Sequence, residues 1–397
     1  MTPTIEIDEL DRDGVVVSLT HPERLALQRA QHQLGVEWRP DGTARVFSQG
    51  SVGTVALSSD KVIRVVTKVP VGNLLSLTSL AYRTLSIPPS VGDALNSSSD
   101  FAADWLALVL ALETQRLIAH GMRQGYVLMR DELPYIRGRI LFDSLIQARP
   151  SLTRCEYTDY LPDTPENRLL RAALESLATR RLLAVAKLVV ESVLPHFHGV
   201  TLVPLTARLL DSCRITRLNE HYRPAVDLCQ LLIYQSGIEG DVGTLRAPAF
   251  FFPMFKVFEK ALLNLFRETF RDLKQQSGKT FHPAVGSGPS VSFAADIIVG
   301  DPPRIVIDTK YVDPELHTWH GDRFDNTHIY QVAFYSRSLR CPALLVYPRS
   351  AKDVDVTFDF DGTAVSIKTV DLREPGLDSL RQLAANVAKV ARPVFAA

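Results

Sequence analysis

Three side chains in the last third of the sequence could do chemistry together: Asp296 in "AADIIV", and Asp308 and Lys310 in "RIVIDTKYV". Side chains alternate faces along a strand, so Asp308 and Lys310 project the same way, with Cα atoms roughly 6.7 Å apart. Ile305-Val306-Ile307 is the apolar half of a strand whose second half is charged. Asp296 stands twelve residues before Asp308, at the start of another apolar strand segment, and two adjacent strands would set it beside the pair. Neighbouring carboxylates repel and resist joint ionisation. A divalent cation removes that conflict. Mg²⁺ prefers hard oxygen, taking one or two carboxylates with waters and phosphate oxygens. An ammonium alongside can orient an attacking water and stabilise charge building on phosphoryl oxygens. Asp, Asp and Lys are thus a minimal set for hydrolysing a phosphodiester. The bland alternative is a solvent-facing pair on an edge strand, worth little energetically.

Other residues could support such a site. Gln331 and Tyr335 in "YQVAFY" are four apart and share one helix face. Glu259 in "FKVFEKALLNLF" is either a site carboxylate or a solvated helix position. Arg137 and Arg139 in "YIRGRILF" share a strand face, where they either meet DNA phosphate or are solvated. Two patterns are set aside. "QSGKT" ends like a P-loop, but Leu273 stands where the first glycine belongs and a helix precedes it, so no nucleotide is expected to bind this chain. The histidines of "HFH" (His196, His198) and "HTWHGDRFDNTH" (His317, His320, His328) lack the spacing of a zinc site and read as loop histidines.

The elements that must position these groups follow from the pattern. Residues 1 to about 70 read as β-rich, with "GVVVSL", "ARVFSQ", "GTVAL" and "KVIRVVTKV" as short strands. A short helix is expected over Asn73–Leu85 and a loop over Pro88–Asp100. A helix then runs between Asp100 as N-cap and Gly121 as stop. "QGYVLMRDELPYIRGRILFD" reads as two strands around a turn at Asp131–Pro134. Helices follow, one opening at Thr164 as N-cap with Pro165 at the first position, another from Asn219 to about Tyr234. Gln235–Pro248 is a Gly-rich connection. Beyond it come the aromatic helix with Phe255, Phe258, Leu262, Leu265 and Phe266 at helical spacing, a strand near Thr280–Val285, and the two strands bearing the aspartates. A helix across about Asp325–Leu339, "ALLVYP", two more strands and a helix near Leu377–Val390 complete the chain. That order is a mixed α/β core.

Composition bounds the function classes. A chain of 397 residues favours two or three domains. Lys and Arg equal Asp and Glu at 44 each, so any nucleic-acid surface must be a local patch. The four cysteines, Cys155, Cys213, Cys229 and Cys341, form no C-x-x-C pair, which argues for reduced thiols and against zinc or iron–sulfur sites. "MTPTIEIDELDRDG" is acidic and lacks an apolar signal core, and "WLALVLAL" is far shorter than the ~20 residues needed to span a bilayer, so a cytoplasmic protein is expected.

Taken together, A-D-(x11)-D-T-K, an upstream F-E-K helix and a downstream Q-x-x-x-Y resemble the PD-(D/E)xK nuclease superfamily. More narrowly, "TPENRLLRAAL", "MFKVFEKAL", "DIIV", "IDTKY", "HIYQVAFYS" and the N-terminal "VGTVALSSDKVIRVVTKVPVGNLLSLTSLAY" resemble the McrC family, nuclease subunits of McrBC-type, modification-dependent restriction systems. Ala295 departs from the proline of the superfamily name, at a position that shapes backbone and carries no chemistry. The resemblance implies an α/β chain. Its C-terminal restriction-endonuclease-like mixed sheet would be flanked by helices and preceded by a helical segment and a β-rich N-terminal domain. The expected division is 1–160, partner-docking, and 161–397, with the nuclease core at about 250–397. It implies Mg²⁺ held by Asp296, Asp308 and the Thr309 carbonyl, Lys310 as catalytic lysine, and Glu259, Gln331 and Tyr335 as supporting residues. It further implies double-stranded DNA as substrate and an AAA+ GTPase partner, McrB-like and ring-forming, whose GTPase this chain stimulates. Two other readings stay open: an assembly and GTPase-stimulating subunit with a vestigial site, and a stand-alone RecB-like repair nuclease.

Overall fold

The computed structural model describes residues 4–9, 11, 13–31, 34–58, 61–84, 95, 101–141, 152–235, 249–282, 289–312, 315–318, 321–324, 326–349, 352–360, 362–374 and 377–391. They form a mixed α/β structure with several sheets. The chain separates into two compact units, Met1–Ala102 with Pro248–Ala397, and Ala103–Ala247. This division does not follow the expected one at 160/161. A strand explains the difference: Ala249–Pro253 pairs antiparallel with Ser51–Ser58 and completes a four-stranded sheet begun by the first residues.

In the first unit, that sheet runs in the order Thr4–Asp8, Lys61–Val66, Ser51–Ser58, Ala249–Pro253. A three-stranded sheet, Val15–Ser18, Thr43–Ser48 and Leu34–Trp38, shares its core of Ile7, Val17, Leu27, Val46, Val55, Ile63 and Phe251. The helix His21–Ala30 closes this core, and its start is a capping box: Thr20 and Glu23 satisfy each other's backbone donors. The helix Val71–Tyr82 packs on the aromatic helix Met254–Thr269, and the buried Asn264 donates to the carbonyls of Leu80 (3.0 Å) and Ala81 (2.9 Å). Those are carbonyls that a helix end leaves without intrahelical donors.

The six-stranded sheet that bears the aspartates is mixed. Its order is Leu273–Ser277, Ala295–Val299, Ile305–Thr309, Ala343–Pro348, Ala364–Val370, Asp355–Asp359. Ile305–Thr309 pairs antiparallel with Ala295–Val299 and parallel with Ala343–Pro348. The helix Asn326–Leu339 makes the crossover that parallel pairing demands. It buries Ile329, Val332 and Tyr335 against Val306, Ala343, Leu345, Val365 and Ile367 on one face of the sheet. The expected elements of this region are present, and two more join them. The polar Leu273–Ser277 forms an edge strand, and Glu315–Thr318 with Gly321–Phe324 forms a separate hairpin. The strand expected near Thr280–Val285 is Thr280–Phe281, paired with Val291–Ser292.

In the second unit, the helix Phe101–His120 ends at Gly121, which takes a φ of +91°. The N-cap expected at Asp100 and the connections expected over Pro88–Asp100 and Gln235–Pro248 lie outside the described residues, apart from Leu95 and Gln235. The strands Gly125–Leu133 and Arg139–Ile140 do not pair with each other around Asp131–Pro134. Both flank Thr153–Leu161 instead. The two are therefore parallel to one another, and Gly138, just before the second, takes a φ of +70°, where an added Cβ would lie 2.4 Å from the Glu156 carbonyl oxygen. The helix Pro165–Ala178 opens as expected, Thr164 accepting from the Asn167 N–H at 3.4 Å. A second helix, Arg223–Gln235, follows a short 3-10 turn at Glu220–Tyr222.

The "TPENR" segment is the polar anchor of this unit. Asn167, fully buried, donates to the carbonyls of Arg123 (2.8 Å) and Pro162 (2.7 Å) and accepts from the Tyr222 hydroxyl (2.9 Å). Asp163 accepts from the Arg168 guanidinium and from Thr201, and its carboxyl is held at about 2, chiefly by Arg168. Asn167→Ala should lower unfolding stability by about 3 kcal/mol, since the buried amide's three side-chain bonds are lost, as urea denaturation would measure. Asp163 stabilises through a lowered carboxyl pKa. The advantage of wild type over Asp163→Asn is therefore complete above about pH 4 and disappears as pH falls through about 2, which denaturation across pH would check.

Candidate active site

The site is built on one strand pair. Ile297 faces Ile307 and Ile298 faces Val306, so one further step of the register sets Asp296 opposite Asp308. Opposite residues share a face. Here it is the face of Val306, covered by the helix Asn326–Leu339. Ile297 and Ile307 on one face, and Ile298 and Val306 on the other, are all buried, so the strand pair is covered on both sides. Lys310 lies just past the strand end and donates its N–H to the Val346 carbonyl at 2.9 Å.

Each charged group has a defined neighbour. Asp296 Oδ2 accepts from the N–H and the hydroxyl of Thr309, both at 2.8 Å, which fixes its orientation. Lys310 Nζ stands 2.7 Å from Asp308 Oδ2. This contact is an ion pair without hydrogen-bond alignment, and that buried oxygen has no hydrogen-bond partner among the described residues. Asp308 is only 1 % exposed. Burial first, and the Asp296 charge second, push its carboxyl up to about 6 against the opposing pull of Lys310.

Glu259, half-buried on the aromatic helix, is also raised, by burial and then by Asp296, with Asp308 adding less. It accepts a 3.3 Å bond from Gln276 Nε2 on the edge strand. Gln331 Nε2 donates to the Tyr335 hydroxyl at 2.6 Å, and that hydroxyl reaches the Ala294 carbonyl at 3.5 Å. The Tyr335 ring stacks on Phe293 with centroids 4.7 Å apart. Burial raises the Tyr335 phenol, and the charges of Asp308, Lys310 and Asp296 all act on it.

The structure therefore gathers Asp296, Asp308, Thr309, Lys310, Glu259, Gln331 and Tyr335 in one region. Glu259 stands off from the two aspartates: among the described residues no three His, Cys, Asp or Glu side chains are close enough to hold a metal ion. The donors that could hold one are the carboxylates of Asp296 and Asp308 with the Thr309 carbonyl, all hard oxygens of the kind Mg²⁺ takes. Asp308 Oδ2 is buried with the Lys310 ammonium 2.7 Å away as its counter-charge, and a metal cation there would further offset its desolvation.

The arginines lie in the other unit. Arg137 precedes its strand. It forms a two-point pair with Asp159 at 3.2 and 3.0 Å and lies 4.1 Å over the Tyr157 ring. Arg139, in the strand, is exposed. The histidines are not all in loops: His196 lies in a 3-10 turn, His317 in a strand, and His328 in the helix Asn326–Leu339, bonded to the Tyr347 hydroxyl at 3.0 Å. His320 lies outside the described residues. Sequence reasoning missed Gln276, which faces Asp296 in register and holds Glu259. Nothing in "LKQQS" marks it.

No curated protein matches the sequence of this chain. Among solved structures, it is similar to a chain of the refined half-complex from a tetradecameric assembly of Thermococcus gammatolerans McrB AAA+ hexamers with bound McrC. The identity is 16% and the TM-score 0.57, over 97% of this chain and 100% of that one. It is also similar to a chain of the Thermococcus gammatolerans McrBC complex determined by cryo-EM, at 17% identity and a TM-score of 0.44, over 67% of this chain and 88% of that one. The first likeness establishes a shared fold. A family model described as McrBC 5-methylcytosine restriction system component matches residues 46–348, the greater part of the sequence. The chain belongs to the family of McrBC 5-methylcytosine restriction system components.

Proposed function

We propose that this chain is the nuclease subunit of an McrBC-type restriction complex, an Mg²⁺-dependent enzyme that hydrolyses DNA phosphodiesters on a restriction-endonuclease-like sheet. The observation that carries the reading is the convergence of Asp296, Asp308 and Lys310 at the end of one strand pair, with Asp308 buried. The similar solved chain belongs to an assembly of McrB AAA+ hexamers with McrC, which supports an oligomeric AAA+ GTPase as the partner here. The formal charge of zero fits a division in which much of the DNA affinity lies with that partner.

Asp296, Asp308 and the Thr309 carbonyl would hold the cation, which supplies positive charge against the phosphate and lowers the pKa of water. The chain's own residues do the rest. Thr309 keeps Asp296 in one orientation through two bonds. Lys310 presents an ammonium beside Asp308, where it can orient the attacking water and stabilise charge gathering on the phosphoryl oxygens. Gln331 fixes the Tyr335 hydroxyl, and Gln276 fixes Glu259, at the margin of the site.

Cleavage of DNA carrying 5-methylcytosine, by the chain assembled with its AAA+ partner, GTP and Mg²⁺, should fall to background with Asp308→Ala. Lys310→Ala should lower it about 10²–10³-fold. Equal cleavage by wild type and Asp308→Ala would leave an assembly subunit with a vestigial site. Full cleavage without partner or GTP would point to a stand-alone nuclease.

Asp308 also sets a pH dependence. Its folded pKa of about 6 lies above the unfolded value of about 3.9, so the folded, metal-free chain binds the proton more tightly. Its stability therefore declines as pH rises from about 4 to 6, and Asp308→Asn lacks that decline. Metal binding needs the ionised carboxylate. Mg²⁺ should raise the melting temperature of wild type at pH 7.5, progressively less as pH falls through about 6, and should not raise that of Asp308→Asn. Calorimetry of the full chain tests both statements.

A further inference from the structure

Lys310 is weakly held by its own strand. The ladder ends at Thr309, and the Lys310 N–H to Val346 bond is its backbone anchor to the sheet. The next residue supplies a second constraint. Tyr311 is 5 % exposed, its ring meets Phe258 edge-on at 5.7 Å, and its hydroxyl donates to Glu9 Oε1 at 3.1 Å. Glu9 is fixed in turn. Its N–H donates to the Val66 carbonyl at 3.0 Å, and Oε1 also accepts the Lys68 N–H at 2.9 Å. The backbone of Lys310 is thus bracketed by a bond before it and an anchored ring after it.

We propose that Glu9 and Tyr311 are positioning residues for Lys310: their hydrogen bond ties the end of the reactive strand to the sheet formed by the first residues of the chain. Tyr311 turns to Phe258 and Glu9, not to Asp308, so the anchor leaves the site open. Glu9 is 1 % exposed and its Oε2 has no hydrogen-bond partner among the described residues. A carboxylate at that depth is costly for stability alone. It provides a fixed acceptor for Tyr311. A shift of about 1 Å in a reacting group can cost about a hundredfold in rate. A hydroxyl 302 residues away from its acceptor in sequence can therefore govern how well Lys310 works.

The role of Lys310 in this proposal rests on the nuclease reading, whereas its placement does not, and the test separates the two. Tyr311→Phe, Glu9→Leu, the double variant and Glu9→Gln are compared as full chains. Amide hydrogen exchange is followed on the metal-free chain, and cleavage is followed with the AAA+ partner, GTP and DNA carrying 5-methylcytosine. Tyr311→Phe and Glu9→Leu should each speed exchange of the Lys310 amide and lower kcat about tenfold or more, with KM for DNA unchanged. The double variant should lose no more than Glu9→Leu alone, because Glu9→Leu already removes the Tyr311 bond along with that from Lys68. Glu9→Gln keeps an acceptor oxygen and should behave as wild type. Unchanged exchange at Lys310 in Tyr311→Phe, or additive losses in the double variant, would overturn the proposal. Should Glu9→Leu fail to fold, Tyr311→Phe and Glu9→Gln decide. Should wild type not cleave, the nuclease reading fails and the exchange of Lys310 still decides the placement.

Discussion

Asp308 is buried beside a second, half-buried carboxylate, Asp296. Much of the surrounding structure can be understood as a response to that charge. Ile297, Ile298, Val306 and Ile307 bury both faces of the strand pair. Thr309 holds Asp296 with two donors, and Lys310 partly neutralises Asp308. The remaining cost of burial appears as a carboxyl raised to about 6.

The second layer of the site is made of neutral donors. Gln276 and Gln331 each give one amide bond, to Glu259 and Tyr335, and neither adds charge. In a region already carrying three acids near one lysine, amides orient without shifting the balance of charge further. Phe293 backs Tyr335 from the other side and keeps the ring from turning.

The charged core of the site was legible in the sequence because strand geometry is local. Alternation alone put Asp308 and Lys310 on one face, and the helical spacing of Gln331 and Tyr335 put them on another element's single face. What stayed hidden depends on pairings between distant segments. Gln276 comes from a polar edge strand whose burial pattern carries no alternation. The placement of Thr153–Leu161 between two strands that follow each other in sequence, and that run parallel to one another, depends on a pairing that composition does not reveal. The hairpin Glu315–Phe324 reads as polar loop because its strands are four residues each and rich in charge and histidine. The contact of Tyr311 with Glu9 joins segments 302 residues apart, beyond the reach of any periodicity.

The return of the chain at Ala249–Pro253 has a consequence for biosynthesis. The sheet that begins at Thr4 lacks its last strand until residue 253 has left the ribosome, whereas residues 103–247 are contiguous and make their own compact unit. The middle of the chain can therefore begin folding first, while the opening residues wait with an unpaired strand edge at Ser51–Ser58. An interruption of translation before that point would leave three of the four strands with an open edge, a template for pairing with another chain.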